Sequence, residues 1–191
     1  MSKVIQYLDS IISGEREGLI PSILKIELHS LSFLTLAITK LRRLAYSQGL
    51  FGSKELPCKV ISVGNVVVGG SGKTPLTIAI ANLLKKHFGL RIAVASRGYK
   101  SRLKGISIVS DGEKMLLSQD EAGDEPYMIG QRLADVPVII GKDRYKSGLM
   151  AINIWGTQVL ILDDGFQYLK LKHNVDLITI DSTERQKLNY I

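Results

Sequence analysis

An α/β fold, with a mostly parallel sheet covered by helices on both faces, is the class this sequence predicts, and three observations predict it. Short β-branched and apolar runs alternate with helical stretches from about residue 59 onward. Those runs are apolar along their length, as strands buried on both faces are. The composition, 45% hydrophobic and 23% charged over 191 residues, is that of a folded domain with room for a core.

The first element is a helix over residues 22–46, "SILKIELHSLSFLTLAITKLRRLAY". At about 3.6 residues per turn, Leu24, Leu28, Leu31, Leu34, Ile38, Leu41 and Ala45 share one face. Lys25, His29, Ser32, Thr39, Lys40 and Arg43 gather on the other, and Pro21 stands where a first-turn proline is tolerated. The uninterrupted apolar part is shorter than the roughly 20 residues that span a bilayer. Two readings stay open: an amphipathic helix lying on a membrane, basic residues towards the headgroups, or a helix packed on the rest of the chain. "GLFGSKELP" then breaks the pattern and reads as a linker, dividing an N-terminal segment, 1–52, from a domain, 53–191.

Within that domain "KVISVG" is a strand, "TPLTIAIANLLKKHF" a helix and "RIAVAS" a strand. "VPVIIG" is a further strand, "RYKSGLMAINIW" a helix, and "QVLILDD" and "VDLITID" close the series as strands. "ISIVSDGEKMLL" departs from the rhythm, because Asp111-Gly112 between two apolar runs signals a hairpin.

Charge and cysteine content narrow the setting. Twenty-five Lys and Arg against 18 Asp and Glu give a formal net charge of +7, which favours an anionic partner such as nucleotide phosphates or an acidic membrane surface. Nucleic acid is not expected, since the basic residues are spread without an aromatic platform or a known motif. Cys58 is the one cysteine, so neither an intramolecular disulfide nor a Cys-rich metal site can form. The first 18 residues carry acidic groups where a signal peptide carries an apolar region, so secretion is not expected.

The chemistry concentrates at the turn after the first strand. "VVVGGSGKTP" ends in Gly72-Lys73-Thr74 opening a helix, the context of a phosphate-binding loop. Backbone amides of Val67, Val68, Gly69, Gly70, Ser71 and Gly72 would cradle phosphates at the helix N-terminus. Lys73 would reach the outer phosphate oxygens, and the Thr74 hydroxyl would ligate Mg²⁺. Val67 stands where the general pattern has its first glycine, but Gly69, Gly70 and Gly72 keep the backbone flexible beside a ligand.

Such a loop needs a metal-binding acid at the end of a neighbouring strand. "VLILDDG" offers Asp163 and Asp164, although an Asp-Asp-Gly turn can also be merely structural. "AGDEP" puts Asp124 and Glu125 at a helix N-terminus; capping is the default role for Asp124, and a base or metal role the sharper alternative. Ser96, Arg97 and Tyr99 follow the second strand, and Lys142 and Arg144 follow "VPVII". Ligands of open parallel sheets lie at the carboxyl ends of strands, so these residues face the loop's region unless they are only a solvated rim. His29, His87 and His173 form no metal-like or triad-like pattern.

Taken together, "VGNVVVGGSGKTP", "ASRGY", "AGDEP" and "LILDDGFQ", in that order, resemble the tetraacyldisaccharide 4'-kinase family, the lipid A 4'-kinases. Members typically lack the first glycine of the loop as well, so Val67 fits the family where it departs from the general motif. The resemblance implies a P-loop NTPase-type fold and transfer of the γ-phosphoryl group of ATP, with Mg²⁺, to the 4'-hydroxyl of a tetraacylated glucosamine disaccharide 1-phosphate. It also implies work on the cytoplasmic face of the inner membrane of a Gram-negative bacterium, which favours the membrane reading of residues 22–46. By position, Val67 to Thr74 match the ATP loop, Asp163 and Asp164 the metal-binding acids, and Asp124, with Glu125 beside it, the base towards the sugar hydroxyl. Arg97, Tyr99, Glu125 and Arg144 are the candidate substrate contacts.

Two departures from the family pattern stand out. Tyr168 in "DDGFQY" replaces the usual histidine, keeping a hydrogen bond but losing an imidazole's titration. Members also continue through Gly-Asn and Leu-Pro-Ala-Gly-Pro stretches into a C-terminal lobe, of which this sequence, at roughly three-fifths of a typical member, has none. The expectation is therefore an ATP half-site without the whole acceptor site. The alternatives are a nucleotide-binding, membrane-associated paralogue that transfers nothing, or a related fold acting on a soluble metabolite.

Overall fold

The computed structural model describes residues 7, 10, 11, 18–65 and 72–180, with only the backbone of residues 29 and 47. By packing, the chain forms two units, residues 1–52 and 53–191.

The first unit is dominated by helix α1, Leu19–Ser47, which begins three residues before the predicted start and keeps Pro21 in its first turn. Ser30, Thr35 and Thr39 return their hydroxyls to the carbonyls four residues back, which satisfies these polar groups within the helix. No described residue of α1 is buried; Leu19 is 84% exposed, Phe33 76% and Leu41 65%. By length and composition the whole helix is long and apolar enough to cross a membrane, a possibility that counting only its uncharged stretch had set aside. After α1 the chain folds back, Phe51 N–H donating to the Ala45 carbonyl and its ring packing 5.4 Å from that of Tyr46.

The second unit holds a six-stranded sheet. Its strands are β1 (Lys59–Asn65), β2 (Ile92–Ser96), β3 (Ser107–Ser110), β4 (Val138–Ile140), β5 (Val159–Asp163) and β6 (Val175–Thr179). Their order across the sheet is β3-β4-β2-β5-β1-β6, parallel except for β3, which runs antiparallel on the edge beside β4. The connecting helices are α2 (Lys73–Phe88), the one-turn α3 (Gln119–Ala122), α4 (Asp124–Arg132) and α5 (Arg144–Trp155).

Strand periodicity divides the core in two. Ile92, Val94, Val138, Ile140, Val159 and Ile161 face the side covered by α2 and α4, where Ala81, Ile129 and Leu133 are buried. Ala93, Ala95, Ile139, Leu160 and Leu162 face the side of α5, with Ala151 and Leu56. Both faces of the central strands are therefore dry, which is why their sequences read as unbroken apolar runs.

The Asp111-Gly112 signal gives a tight turn, with Asp111 Oδ1 accepting from the Glu113 and Lys114 amides. Those bonds hold the Asp111 carboxyl below its ordinary range. The hairpin's second arm is a single bridge, Ser110 to Met115, so the departure from βα rhythm produces one antiparallel edge strand rather than a second sheet.

Candidate functional site

The site is built where two parallel strands end side by side. β1 and β5 pair with Val63 opposite Asp163, so the acid and the turn after Asn65 emerge at the same edge. The amide of Gly165 donates to the Val63 carbonyl at 3.0 Å, fastening the Asp163-Asp164-Gly165 turn to β1. Gly64 allows that turn to come close, since a β-carbon there would run into Phe166.

Val66 to Ser71 lie outside the described residues, so the predicted cradle of Val67, Val68, Gly69, Gly70 and Ser71 is described only at its exit. There Gly72, at φ +77°, caps α2, and Lys73 and Thr74 form its first turn. Lys73 Nζ donates to Asn65 Oδ1 at 3.0 Å and lies 3.7 Å from Asp164 Oδ1. Thr74 is buried, 8% exposed. Asp164 sits at φ +56°, a left-handed conformation uncommon for a residue with a β-carbon and often found at functional turns.

Asp163 is 1% exposed and accepts a 3.0 Å hydrogen bond from the Thr77 hydroxyl, one turn along α2 from Thr74. Burial pushes its carboxyl up to about 6; the Thr77 bond opposes this, Glu125 and Asp164 add to it, and Lys73 pulls it down. Among the described residues this carboxylate has one hydroxyl donor, and Asp163, Asp164 and Glu125 share only two cations, Lys73 and Arg144, which leaves negative charge uncompensated. That deficit is what a divalent cation would meet.

Arg144, the first residue of α5, is 2% exposed. Its Nη1 donates to the Gly141 carbonyl, and its Nε has no hydrogen-bond partner among the described residues. Burial lowers the guanidinium to about 10; Tyr168 favours its charge, Arg97 disfavours it, and Asp164 and Asp163 favour it. The cation therefore belongs to the same electrostatic cluster as both aspartates. Its Cζ lies 5.8 Å from the centre of the Tyr168 ring. The Tyr168 hydroxyl donates to Asp143 Oδ1 at 3.3 Å, and the same Asp143 oxygen caps α5 by accepting from the Lys146 amide. Desolvation raises the phenol above its ordinary value, with Asp143 acting in the same direction.

Asp124 departs from its default reading. The cap of α4 is Gly123, and Asp124 is the first helical residue, exposed, with Gln119 Nε2 donating to its Oδ1 at 2.8 Å. Side-chain capping is found on the preceding helix α3, where Ser118 forms a capping box with Glu121; those bonds lower the Glu121 carboxyl. Gly123 cannot be replaced easily, since it stands at φ +90° and a β-carbon would meet the Tyr99 carbonyl oxygen at 2.5 Å. Glu125 is exposed yet acts on the buried Asp163.

Of the other candidates, Ser96 is buried and its carbonyl accepts from Gly141. Tyr99 is 69% exposed, Arg97 and Lys142 are exposed, and none of the three shows a direct contact to the aspartates. Asn65, Thr77 and Asp143 were not singled out from the sequence. Asn65 ends the strand just before the glycine turn, and Thr77 is the polar residue one turn beyond Thr74, so both carried a positional signal. Among the described residues no three of His, Cys, Asp and Glu converge on a metal-like point. A cation held largely by phosphates needs no such cluster.

Comparison with known proteins follows the same outline. The family model described as Tetraacyldisaccharide-1-P 4'-kinase matches residues 24–190. A tetraacyldisaccharide 4'-kinase of Desulfotalea psychrophila is 51% identical over 153 residues, 80% of this chain and 44% of that protein. One from Syntrophus aciditrophicus is 45% identical over 170 residues, 88% of this chain and 45% of that protein. Among solved structures, the "apo" form of LpxK from Aquifex aeolicus in complex with ATP superposes with a TM-score of 0.78 at 41% identity, covering 85% of this chain and 51% of that one. The chain thus spans about half the length of the curated relatives it matches, less than the sequence motifs suggested.

Proposed function

The chain belongs to the tetraacyldisaccharide-1-P 4'-kinase family, and from that premise we propose that it supplies the ATP-holding half of a lipid A 4'-kinase. The complete reaction passes the γ-phosphoryl group of ATP to the 4'-hydroxyl of a tetraacyldisaccharide 1-phosphate. One observation carries this reading. Lys73, at the N-terminus of α2, lies between Asn65 and Asp164, with Asp163 buried behind them at the carboxyl ends of adjacent parallel strands. That is the placement a nucleotide triphosphate needs: amides and a lysine for phosphate oxygens, carboxylates for the accompanying cation.

The residues fit Mg²⁺ as well as ATP. Thr74, Asp163 and Asp164 would hold the ion, directly or through water, and the under-compensated charge of Asp163 is the structural reason. Bound there, Mg²⁺ neutralises charge on the transferring phosphate. Lys73 orients the outer phosphates, the phosphate loop Val67 to Gly72 cradles them, and Arg144 contributes a fixed buried cation beside the same cluster. Asp124, exposed on the edge and oriented by Gln119, is the group that would accept the hydroxyl proton, with Glu125 beside it. Phosphoryl transfer has a loose transition state, so positioning and charge matter more than the strength of that base.

The exposed apolar side chains of α1, together with Lys25, Lys40, Arg42 and Arg43, support attachment to a membrane, proposed as the cytoplasmic face of the inner membrane where the acceptor lipid is made.

The direct test is binding of a fluorescent ATP analogue with Mg²⁺, followed by incubation with MgATP and the disaccharide 1-phosphate lipid in detergent. Saturable binding that is lost in Lys73→Ala supports the reading, and formation of the 4'-phosphate by this chain completes it. Binding without transfer, beside an active full-length relative, favours the second reading, a nucleotide-binding module without kinase activity. The coverage of about half of each relative is what motivates that alternative. Absence of binding overturns both.

A further inference from the structure

The loop between β2 and β3, residues 97–105, is "RGYKSRLKG". It carries four cations, Arg97, Lys100, Arg102 and Lys104, and no acid. Its large side chains project outward: Tyr99 is 69% exposed and Leu103 38%, and all four cations are exposed. Among the described residues only Arg102 has an ion pair, with the equally exposed Asp120 at 3.3 Å, while Lys100 leans over the Tyr99 ring at 5.8 Å. Exposed pairs of this kind contribute little to folding.

The backbone of the loop, by contrast, is fastened. The Ser101 hydroxyl donates to the Glu121 carbonyl at 2.5 Å and accepts from the Leu103 amide, and the Ser101 amide donates to the Gly98 carbonyl. Gly98 packs against Ile140 at the end of β4, and the Tyr99 carbonyl rests on Gly123, immediately before Asp124. A pinned backbone with cations, an aromatic and an aliphatic all turned to solvent is costly decoration for a connection that needs only to cross the sheet edge. It matches the chemistry of an anionic bilayer surface, where Lys and Arg meet headgroups and Tyr and Leu enter the interfacial layer.

We propose that the 97–105 loop is a docking surface for an anionic phospholipid bilayer, separate from α1, which seats the Asp124 edge of the sheet against the membrane. This rests on the kinase reading for the identity of the edge, since an acceptor embedded in the bilayer must be met there. Charge complementarity selects the occupant: the chain is cationic overall, and the loop itself carries four cations and no acid. Because Tyr99 and Asp124 are joined through Gly123, seating the loop also sets the height of Asp124 above the headgroups.

The full chain, with Cys58→Ser and Leu103→Cys carrying an environment-sensitive fluorophore, tests this. With vesicles of phosphatidylcholine containing about 30% phosphatidylglycerol, the label is expected to shift to the blue and the protein to sediment with the vesicles; pure phosphatidylcholine should give a smaller shift. A label at Glu113→Cys, exposed in the turn that follows β3 at the other end of the sheet, should not shift. Reversing Lys100, Arg102 and Lys104 to Glu should abolish the shift at residue 103 and weaken partitioning by at least about a hundredfold, while Mg²⁺-nucleotide binding, which reports folding and tests the kinase reading separately, stays intact. Vesicle-bound protein without a shift at residue 103 would overturn the proposal. So would failure to bind acidic vesicles, or an equal shift with inorganic phosphate alone, which would mark a soluble-anion site.

Discussion

The carboxyl-terminal edge of the sheet has two halves of opposite character. Around β1, α2 and β5 the polar groups are drawn inward: Asp163 and Thr77 are buried and bonded to each other, and Lys73 is held by Asn65 and Asp164. Around β2, β4 and α4 they are turned outward, with Asp124, Glu125, Tyr99 and the loop cations in solvent. A small ligand rich in phosphate is best met by charges fixed in advance in a poorly hydrated corner, because nothing then has to reorganise when it arrives. A large amphiphilic partner is best met by a surface. Arg144, buried yet electrostatically linked to both aspartates and to Arg97, is where the halves meet.

Substitutions should therefore act differently on the two sides. The largest effect is expected from Lys73→Ala, which should weaken Mg²⁺-nucleotide affinity about a hundredfold, some 3 kcal/mol, with little change in Tm. Titration calorimetry reads the affinity, and a loss of less than about fivefold would contradict a preformed inner half.

Next in size is the pH dependence carried by Asp163. Its folded carboxyl is raised to about 6, above the value in an unfolded chain, so its native state binds the extra proton between roughly pH 4 and 6. Stability from this group is full below that window and falls as pH rises through it. Asp163→Asn removes the titration. Relative to wild type without ligand, the variant should gain on the order of 2 kcal/mol between pH 4.5 and 7.5, read from denaturant melts at both pH values. A constant difference would show that Asp163 is better solvated than its burial implies.

A smaller change should follow Thr77→Val, which keeps shape but removes the donor to a buried carboxylate. About 1 to 2 kcal/mol should be lost at neutral pH and recovered in Thr77→Ser. Smallest should be Tyr168→Phe, about 0.5 kcal/mol, since the bond to Asp143 is long and half-exposed and Asp143 keeps its cap on α5. A loss above about 2 kcal/mol from this change would make Tyr168 part of the rigid inner half.

How far this was legible in the sequence depends on distance along the chain. Strands, helices and the ends carrying Lys73, Asp163 and Asp164 follow from local periodicity and turn chemistry, and they stand where those signals put them. The pairing of Thr77 with Asp163, or of Lys73 with Asn65, depends on how α2 seats on two strands, which no local pattern encodes. The shift of the α4 cap from Asp124 to Gly123 has the same origin, since Gly123 is required by the Tyr99 carbonyl, a neighbour in space alone. Tyr168 was legible as a departure, but its partner Asp143 was not, because the contact joins the turn after β5 to the start of α5.

The position of β1 between β5 and β6 governs when the protein can come into being. Lys59 pairs with Val159 and Ile61 with Val175, so the strand that leads into the phosphate loop leaves the ribosome with both edges bare. It stays so until most of the domain has been made. Contacts closed so late in sequence favour slow folding and leave an apolar strand open to wrong partners in the interval. Lys73 is synthesised long before the aspartates it will face, and a nucleotide arriving early would find half a site.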